Sequence, residues 1–253
     1  MKRSFLKSHQ SILKFRPLIV GTLTNGSSLA AQLKLARSSN IDLIELRLDG
    51  FPKAYGAFQK AYDFGRAVIR EIKIRTKLPV LLTFRADDER GRKIERETID
   101  DKRRAEILAR LLPSVDMVDV EIRHLNFAKR MTVVAHIHGV DVVHSVHDFK
   151  GPGNFKVLET WARRSNDLKG DLFKAVVSPR MNDDLERFLN WGMTLSNPRK
   201  ILIGMGSVGV VSRVVGYSFG SLFSFGHLGK SAAPGQMAAK DLAASVHHVY
   251  RRD

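Results

Sequence analysis

The segments DLIELRLD at residues 42–49 and PVLLTFR at residues 79–85 have the length and apolar content of buried strands, and both end with polar and apolar residues in alternation. Between them, apolar residues such as Tyr62, Ile69 and Ile72 recur at the spacing of one helix face. A strand, a helix and a second strand in this order form a unit whose two strands run parallel. The sequence therefore predicts a parallel sheet with helices packed against it.

The same unit repeats along most of the chain. Further strand-like runs follow at intervals of roughly thirty residues: PLIVGTL from 17, MVDVEI from 117, VDVVHSVHD from 140, FKAVVSP from 173, KILIGMG from 200 and YSFGSLFSFG from 217. Eight such units in 253 residues predict an α/β fold that is a single (β/α)8 TIM barrel, with an open doubly wound sheet as the alternative. We divide the chain into a basic N-terminal leader at residues 1–16 and a barrel catalytic domain at residues 17–253.

The composition restricts both the chemistry and the partners. The absence of cysteine excludes disulfides, thiolate nucleophiles and Cys-based metal sites, and it is typical of an intracellular protein. Forty-two Lys and Arg residues against 26 Asp and Glu residues give a net charge of +16, which attracts acidic metabolites, nucleic acid or anionic lipid. The leader lacks the apolar core of a secretory signal, and the longest uncharged stretch, residues 214–229, is too rich in Gly and Ser for a bilayer span. We expect a cytoplasmic protein that does not bind membranes.

Polar side chains occupy alternate positions on several predicted strands. In a barrel this face points inward, and the residues concentrate toward the C-terminal ends of the strands, where barrel active sites lie. The alternation favours a polar site inside the barrel, although a structural layer of buried ion pairs has the same pattern. The residues concerned are Glu45, Arg47, Asp49, Thr83, Arg85, Asp119, Glu121, Ser145 and His147.

Lys174 is the candidate nucleophile. It begins an apolar strand, so its amine is expected to rise into the barrel. Burial and the cations Arg47, Arg85 and Arg213 would favour a neutral amine that condenses with a ketone or an aldehyde. A lysine at a strand edge that extends to solvent is the alternative.

His147, at the end of the preceding strand, is the candidate group for proton transfer. It lies one strand away from Lys174, and an imidazole titrates near neutral pH. Glu89, in the loop after Arg85, is the candidate carboxylate that orients the ring. We expect no metal here, because alternation puts His144 and His147 on opposite faces of the strand.

Two glycine-rich segments follow the seventh and eighth strands. Residues 204–209 spell G-x-G-x-x-G, but the acidic residue that a dinucleotide-binding fold needs about twenty positions later is missing. We therefore attribute these glycines to close packing at the barrel rim, with Arg213 beyond them positioned to hold an anion. The segment FGHLGKSAAPGQ at residues 225–236 predicts either a loop that closes over substrate, with Gln236 reaching inward, or a plain surface loop.

Seven short motifs stand in a distinctive order: ELRLD at 45–49, TFR at 83–85 with Glu89 beyond, VDMVDVEI at 115–122, HDF at 147–149, KAVVSP at 174–179, VGVVSR ending at Arg213 and APGQ ending at Gln236. In these motifs and their order the chain resembles the type I 3-dehydroquinase family, from Pro17 nearly to its end. Two positions depart from the family pattern. Ala232 stands where a serine usually precedes A-P-G-Q, with Ser231 displaced by one, and Arg90 interrupts a pair of glycines after Glu89.

The resemblance implies a lyase of the shikimate pathway, which leads to chorismate and the aromatic amino acids. Such an enzyme dehydrates 3-dehydroquinate to 3-dehydroshikimate through a Schiff base, with no metal or organic cofactor, and is a homodimer. By resemblance, Lys174 forms the imine, His147 transfers the proton and Glu89 orients His147. The substrate-binding positions that match are Glu45, Arg47, Arg85, Arg213, Ser231 and Gln236.

Two other functions fit parts of the sequence. A class I aldolase would also use Lys174, but it should hold a phosphate near strands 7 and 8, where Arg213 has no second cation beside it. A basic nucleic-acid-binding protein would fit the net charge. Aromatic residues make up only 8% of the chain and follow core patterns, so nucleic acid is the disfavoured partner.

Overall fold

The computed structural model describes residues 4–55, 57–86, 99–197 and 199–251. Eight parallel strands follow one another around a ring in the order β7-β6-β5-β4-β3-β2-β1-β8. A parallel bridge between Lys200, at the start of β7, and Ser221, just before β8, brings the two ends of the order together. The fold is a nearly closed single (β/α)8 TIM barrel, which confirms the prediction over an open doubly wound sheet. The strands are β1 Leu18–Leu23, β2 Leu43–Arg47, β3 Val80–Thr83, β4 Met117–Glu121, β5 Asp141–Asp148, β6 Leu172–Val177, β7 Lys200–Gly204 and β8 Phe223–His227.

Helices cover the outside of the barrel. Capping side chains begin several of them, because a side-chain oxygen satisfies an otherwise unpaired amide of the first turn: Asp100 accepts from the Arg103 amide at 2.7 Å. No helix in the described part of the chain is long and apolar enough to cross a membrane. The helices are α1 Phe5–Ser8, α2 Gln10–Leu13, α3 Leu29–Ser38, α4 Phe58–Thr76, α5 Asp101–Leu111, α6 Leu125–Ile137, α7 Phe155–Asp167, α8 Asn182–Thr194, α9 Gly206–Gly209, α10 Ser212–Val215 and α11 Ala239–Val249.

The barrel interior changes from apolar to polar along the strands. Near the N-terminal ends of β2 to β6 the inward residues are apolar, because this end of the barrel is filled by their packed side chains: Leu43, Leu81, Met117, Val143 and Leu172. Two positions later on the same strands the inward residues are polar, and all are buried: Glu45, Thr83, Asp119, Ser145 and Lys174. The alternation predicted from the sequence therefore corresponds to two layers inside the barrel. We call the five apolar residues the floor of the barrel and the five polar residues above them the polar layer.

The segment before Pro17 packs on the floor of the barrel. Phe5 and Leu6 are buried in the same cluster as the lower inward residues of the strands. Asp141, at the start of β5, accepts hydrogen bonds from the Ser4 hydroxyl at 3.0 Å and the Leu6 amide at 2.8 Å. These contacts anchor α1 at the end of the barrel opposite the polar layer.

Candidate active site

A cavity of about 330 Å³ opens above the polar layer, at the C-terminal ends of the strands. Residues from the strands, from the loops that follow them and from the segment after β8 surround it. Glu89, the predicted partner of His147, lies outside the described residues. The predicted site residues that line the cavity are Glu45, Arg47, Arg85, His147, Lys174, Arg213, Ser231 and Gln236.

Lys174 enters the cavity from β6 and is buried, with 4% of its surface exposed. Its Nζ atom donates to Asp119 Oδ2 at 3.0 Å and lies 4.3 Å from the centre of the Phe225 ring. The sequence analysis named burial and three cations around this amine, and the structure adds a carboxylate, Asp119, as a charged partner at 3.0 Å. The amine points into the cavity, as a nucleophile requires, and a solvent-extended lysine is excluded.

Asp119 connects Lys174 to Arg85. Its Oδ1 atom accepts from Arg85 NH1 at 2.9 Å and from the Ser145 hydroxyl at 2.6 Å. Burial alone would raise the pKa of this carboxyl, but the positive charges of Arg85 and Lys174 outweigh burial and hold the pKa well below its ordinary value. Asp119 is thus a fixed negative charge between two cations. The sequence identified it as inward-facing and polar but assigned it no role in the site.

His147 lies beside Lys174 on the neighbouring strand. Ser145 is the β5 residue opposite Lys174, so His147 is one same-face position closer to the opening of the cavity. Its ring stacks on Phe149 with 5.7 Å between ring centres. Burial, Arg85 and Lys174 lower the pKa of His147 well below its ordinary value, so the imidazole is neutral at neutral pH. A neutral imidazole can accept a proton.

Glu45 is held by two threonines. Its carboxylate accepts from Thr22 Oγ1 and from Thr83 Oγ1, each at 2.9 Å. Thr22 Oγ1 also accepts from Gln236 Nε2 at 3.1 Å, which ties the loop after β8 to the barrel. Thr22 was missed by sequence reasoning; its position as a polar residue near the end of β1, opposite Glu45 in register, is the signal that marks it.

Arg47 is oriented by a carboxylate two residues along the chain. Its Nε and NH2 atoms donate to the two oxygens of Asp49 at 3.0 and 2.8 Å. Burial would lower the pKa of Arg47, but Asp49 more than offsets it and raises the pKa above its ordinary value. Asp49 also accepts from the Arg85 backbone amide at 3.2 Å. One carboxylate therefore fixes Arg47 and the backbone of Arg85.

Arg213 is a buried cation held by backbone carbonyls. Its Nε atom donates to Gly235 O and its NH1 atom to Phe225 O, both at 3.1 Å. Burial lowers its pKa to about 10, so the guanidinium keeps its charge at neutral pH. A cation that faces the cavity and is bonded to neutral carbonyls suits an anionic group of a ligand.

Gly204 and Gly209 serve close packing, as predicted for the glycines of residues 204–209. A Cβ atom on Gly209 would lie 2.3 Å from the backbone of Gly204, and a Cβ atom on Gly235 would lie 2.2 Å from Gly206 O. Gly235 also has a φ angle of +70°, which favours glycine. The loop after β8 therefore rests directly on the rim of the barrel.

The same loop presents Ser231 and Ala232 to the cavity. The Ser231 hydroxyl donates to Ala233 O at 2.7 Å, and the Ala232 amide donates to Gln236 Oε1 at 2.8 Å. Ser231 lines the cavity, but its hydroxyl is engaged within the loop. Ala232 offers only a methyl group.

The fold and the site together define a class: a (β/α)8 barrel enzyme in which a buried lysine and a neutral imidazole face a cavity lined by arginines. The chain belongs to the type I 3-dehydroquinase family, whose model matches residues 19–253. This membership decides against the aldolase and nucleic-acid-binding alternatives.

Individual relatives agree with the family match. The 3-dehydroquinate dehydratase of Klebsiella pneumoniae is 35% identical over 209 residues, which cover 79% of this chain and 80% of the relative. That of Salmonella typhimurium is 33% identical over 213 residues, 81% of each chain. The crystal structure of the type I 3-dehydroquinate dehydratase from Clostridium difficile with covalently modified comenic acid has a TM-score of 0.81 and 26% identity over 93% of both chains.

Proposed function

We propose that this protein is a hydro-lyase that converts 3-dehydroquinate to 3-dehydroshikimate in the shikimate pathway. The observation that carries the proposal is the buried Lys174 amine, which lies in the cavity beside the neutral imidazole of His147 and pairs with Asp119 at 3.0 Å. Membership of the type I 3-dehydroquinase family supports the choice of substrate.

The reaction begins when the Lys174 nitrogen, after losing one proton of its ammonium form, attacks the C3 carbonyl of the substrate. A carbon–nitrogen bond forms, the carbonyl oxygen takes up that proton and a second proton from the nitrogen and leaves as water, and the product is a positively charged iminium ion. Because Asp119 is already ionised and paired with the lysine nitrogen, it stabilises the same positive charge after the imine has formed.

The iminium ion makes the neighbouring C2 hydrogen acidic. His147 removes this proton, and the electron pair left behind is delocalised into the iminium. The C1 hydroxyl then leaves, and the proton held by His147 is delivered to it, so that it departs as water. Hydrolysis of the imine consumes one water molecule, releases the enone and returns Lys174. The net change is the loss of one water from the substrate.

The remaining cavity residues bind the substrate. Arg213 pairs with the substrate carboxylate, because its guanidinium is charged and buried and, within the described part of the chain, is bonded only to backbone carbonyls. The hydroxyl groups of the substrate contact Glu45, Arg47 and Arg85. Ser231 and Gln236 close the loop after β8 over the substrate. Glu89 orients His147; this last role rests on the family resemblance alone.

No metal or organic cofactor takes part in this scheme, because the lysine supplies the electron sink. We further propose that the enzyme is a cytoplasmic homodimer, as the family resemblance suggests. The cytoplasmic location and the dimeric state do not alter any step of the proposed reaction.

Reductive trapping tests the proposal. We expect purified protein mixed with 3-dehydroquinate to produce the absorbance of a conjugated enone, and borohydride added during turnover to attach the substrate skeleton to Lys174. Lys174→Ala should lose both signals, because it removes the amine that enters the cavity from β6 beside His147. Peptide mapping by mass spectrometry locates the adduct. An adduct at another lysine, or no enone from the wild-type protein, contradicts the assignment.

A further inference from the structure

Arg104 is a buried arginine outside the cavity. It lies in α5 with no exposed surface, and its guanidinium stacks 4.2 Å from the centre of the Phe127 ring. NH1 donates to both oxygens of Glu121, at 3.0 and 3.1 Å, and to the backbone carbonyl of Phe84 at 2.9 Å. NH2 donates to Asp101 at 2.9 Å. This one side chain therefore links the outer helix layer to two strands of the barrel.

Arg104 and Glu121 together hold the backbone on both sides of Arg85. Arg104 bonds the carbonyl of Phe84, and Glu121 Oε1 accepts from the Ala86 amide at 2.7 Å. The Arg85 residue between these two peptide groups is thus fixed at each end. Glu121 Oε1 also lies 3.6 Å from Arg85 NH1.

Arg85 is in turn linked to Lys174 through the carboxylate of Asp119. Its NH1 atom donates to Asp119 Oδ1 at 2.9 Å, and Asp119 Oδ2 accepts from Lys174 Nζ at 3.0 Å. Charges alternate along the path from α5 to the reacting amine: Arg104, Glu121, Arg85, Asp119 and Lys174. Each member is buried.

Stability alone is a poor explanation for Arg104. Buried ion pairs give little net stabilisation, because the loss of hydration offsets the attraction between the charges. Within the described part of the chain, the Nε atom of Arg104 has no hydrogen-bond partner, which adds to the cost of burial. An apolar side chain would fill this space beside Phe127 without that cost. What it would not supply is the bridge between Glu121 and the Phe84 carbonyl.

We infer that Arg104 is a positioning residue for the proposed dehydration: with Glu121 it fixes Arg85, and through Arg85 and Asp119 it sets the place of the Lys174 amine. This inference rests on the proposed function. Arg104 touches neither the cavity nor the substrate, so its effect is on the geometry of the groups that do.

The test compares four variants with the wild-type enzyme in the dehydration of 3-dehydroquinate. Arg104→Met removes the bridge but leaves the Glu121 charge buried, so it can fail to fold. Arg104→Met/Glu121→Gln removes both charges together, and Arg104→Lys keeps the charge but loses the planar guanidinium whose NH1 and NH2 atoms bond Glu121, the Phe84 carbonyl and Asp101 together. The control is Arg110→Met on the exposed side of the same helix, where the guanidinium stacks 5.0 Å from the Phe58 ring.

We expect Arg104→Met/Glu121→Gln, and Arg104→Met where it folds, to lose at least tenfold in kcat/KM. Arg104→Lys should lie between these variants and the wild type, while Arg110→Met keeps wild-type values. The acid limb of the pH profile for kcat should also move to higher pH. Arg85 helps to lower the pKa of His147, so a displaced Arg85 lets that pKa rise, and the base becomes protonated at higher pH.

Two results would overturn the inference. One is a folded double variant with wild-type kcat/KM and an unmoved acid limb. The other is an equal loss of activity in Arg110→Met, which would indicate a general effect of weakening α5. Failure of the proposed function is separate, since it would appear as no turnover and no trapping at Lys174 in the wild type and the control.

Discussion

The Lys174–Asp119 pair accounts for a requirement of imine chemistry that burial alone does not meet. A buried amine becomes neutral more easily, but the iminium ion that it forms is charged and would be destabilised by the same apolar surroundings. Asp119, held ionised by Arg85 and Lys174, supplies a counter-charge to the nitrogen both before and after the imine forms. The site therefore favours the charged intermediate without losing a buried nucleophile.

His147 is expected to act after the imine has formed. We predict that His147→Gln still gives a borohydride adduct at Lys174 but lowers kcat by about 10²- to 10⁴-fold, the usual contribution of a general acid–base group. Stopped-flow absorbance for the enone, with mass spectrometry of the trapped protein, separates the two steps. Normal turnover in this variant would mean that another group removes the C2 proton.

Ala232 offers a gain-of-function test in the loop after β8. The Ser231 hydroxyl is bonded to Ala233 O, and the Ala232 side chain has no polar atom, so this stretch presents little hydrogen-bonding capacity to the cavity. We predict that Ala232→Ser lowers KM by roughly three- to tenfold with kcat little changed, as one hydrogen bond contributes about 0.5–1.5 kcal/mol. Ser231→Ala is the matched control and should alter KM less. A rise in KM for Ala232→Ser would refute the idea.

At the scale of elements, each strand from β2 to β6 contributes an apolar floor residue and then, two positions later on the same face, a polar residue of the layer above it. Leu172 and Lys174 on β6 are an example, and so are Met117 and Asp119 on β4. The period of two along a strand is a local property, so it can be read from the sequence. Arg104 had a signal too: it shares a helix face with Ile107, Leu108 and Leu111, where a charge is out of pattern.

Three buried polar side chains, Thr132 of α6, His144 of β5 and Ser165 of α7, contact one another and form what we call the polar seam. His144 Nε2 lies 2.8 Å from Thr132 Oγ1, and Nδ1 lies 3.1 Å from Ser165 Oγ. The Thr132 hydroxyl already donates to Ala128 O, so the ring donates through Nε2 and accepts through Nδ1. Burial lowers the pKa of His144 to about 4.

This seam predicts a specific loss of stability in acid. The neutral ring is favoured in the folded protein, so the unfolded chain binds a proton first as the pH falls below about 6.5. The free energy of unfolding should therefore decrease between about pH 6.5 and pH 4, by up to about 3 kcal/mol from this group.

Urea unfolding of the wild type and His144→Gln at pH 7.5 and pH 5 measures this contribution. The variant should be less stable at pH 7.5 but lose less stability on acidification, because His147 and the carboxylates titrate in both proteins. Equal losses in the two proteins would show that His144 does not carry the effect.

At the scale of the whole molecule, the net charge of +16 surrounds a cavity that is itself lined by arginines. A positive field concentrates an anionic substrate near the opening, and salt screens it because the Debye length falls from about 30 Å at 0.01 M to about 8 Å at 0.15 M. We predict that kcat/KM falls several-fold over this range of ionic strength while kcat changes little.

A surface variant lowers the net charge of the protein without changing the residues that line the cavity. Arg66, Arg70 and Lys77 are exposed on or just after α4, away from the cavity lining, and their replacement by glutamine removes three positive charges. The triple variant should show a shallower dependence of kcat/KM on salt, with unchanged kcat. A salt-independent kcat/KM in the wild type would contradict steering by the net charge.

The barrel and the inward polar residues were predictable from the sequence, because both follow from repeats over short stretches of chain. Side chains return to the same face every two residues along a strand and every 3.6 residues or so along a helix, and a strand–helix unit recurs about every thirty residues. The partners of those residues were not. Asp119 and Lys174 are 55 positions apart, and Thr22 and Gln236 are 214 apart. Such pairs meet only when the ring nearly closes and brings distant strands and loops to one end of the barrel. Which carboxylate faces the amine, and which arginine supports it from behind, was therefore decided by tertiary packing.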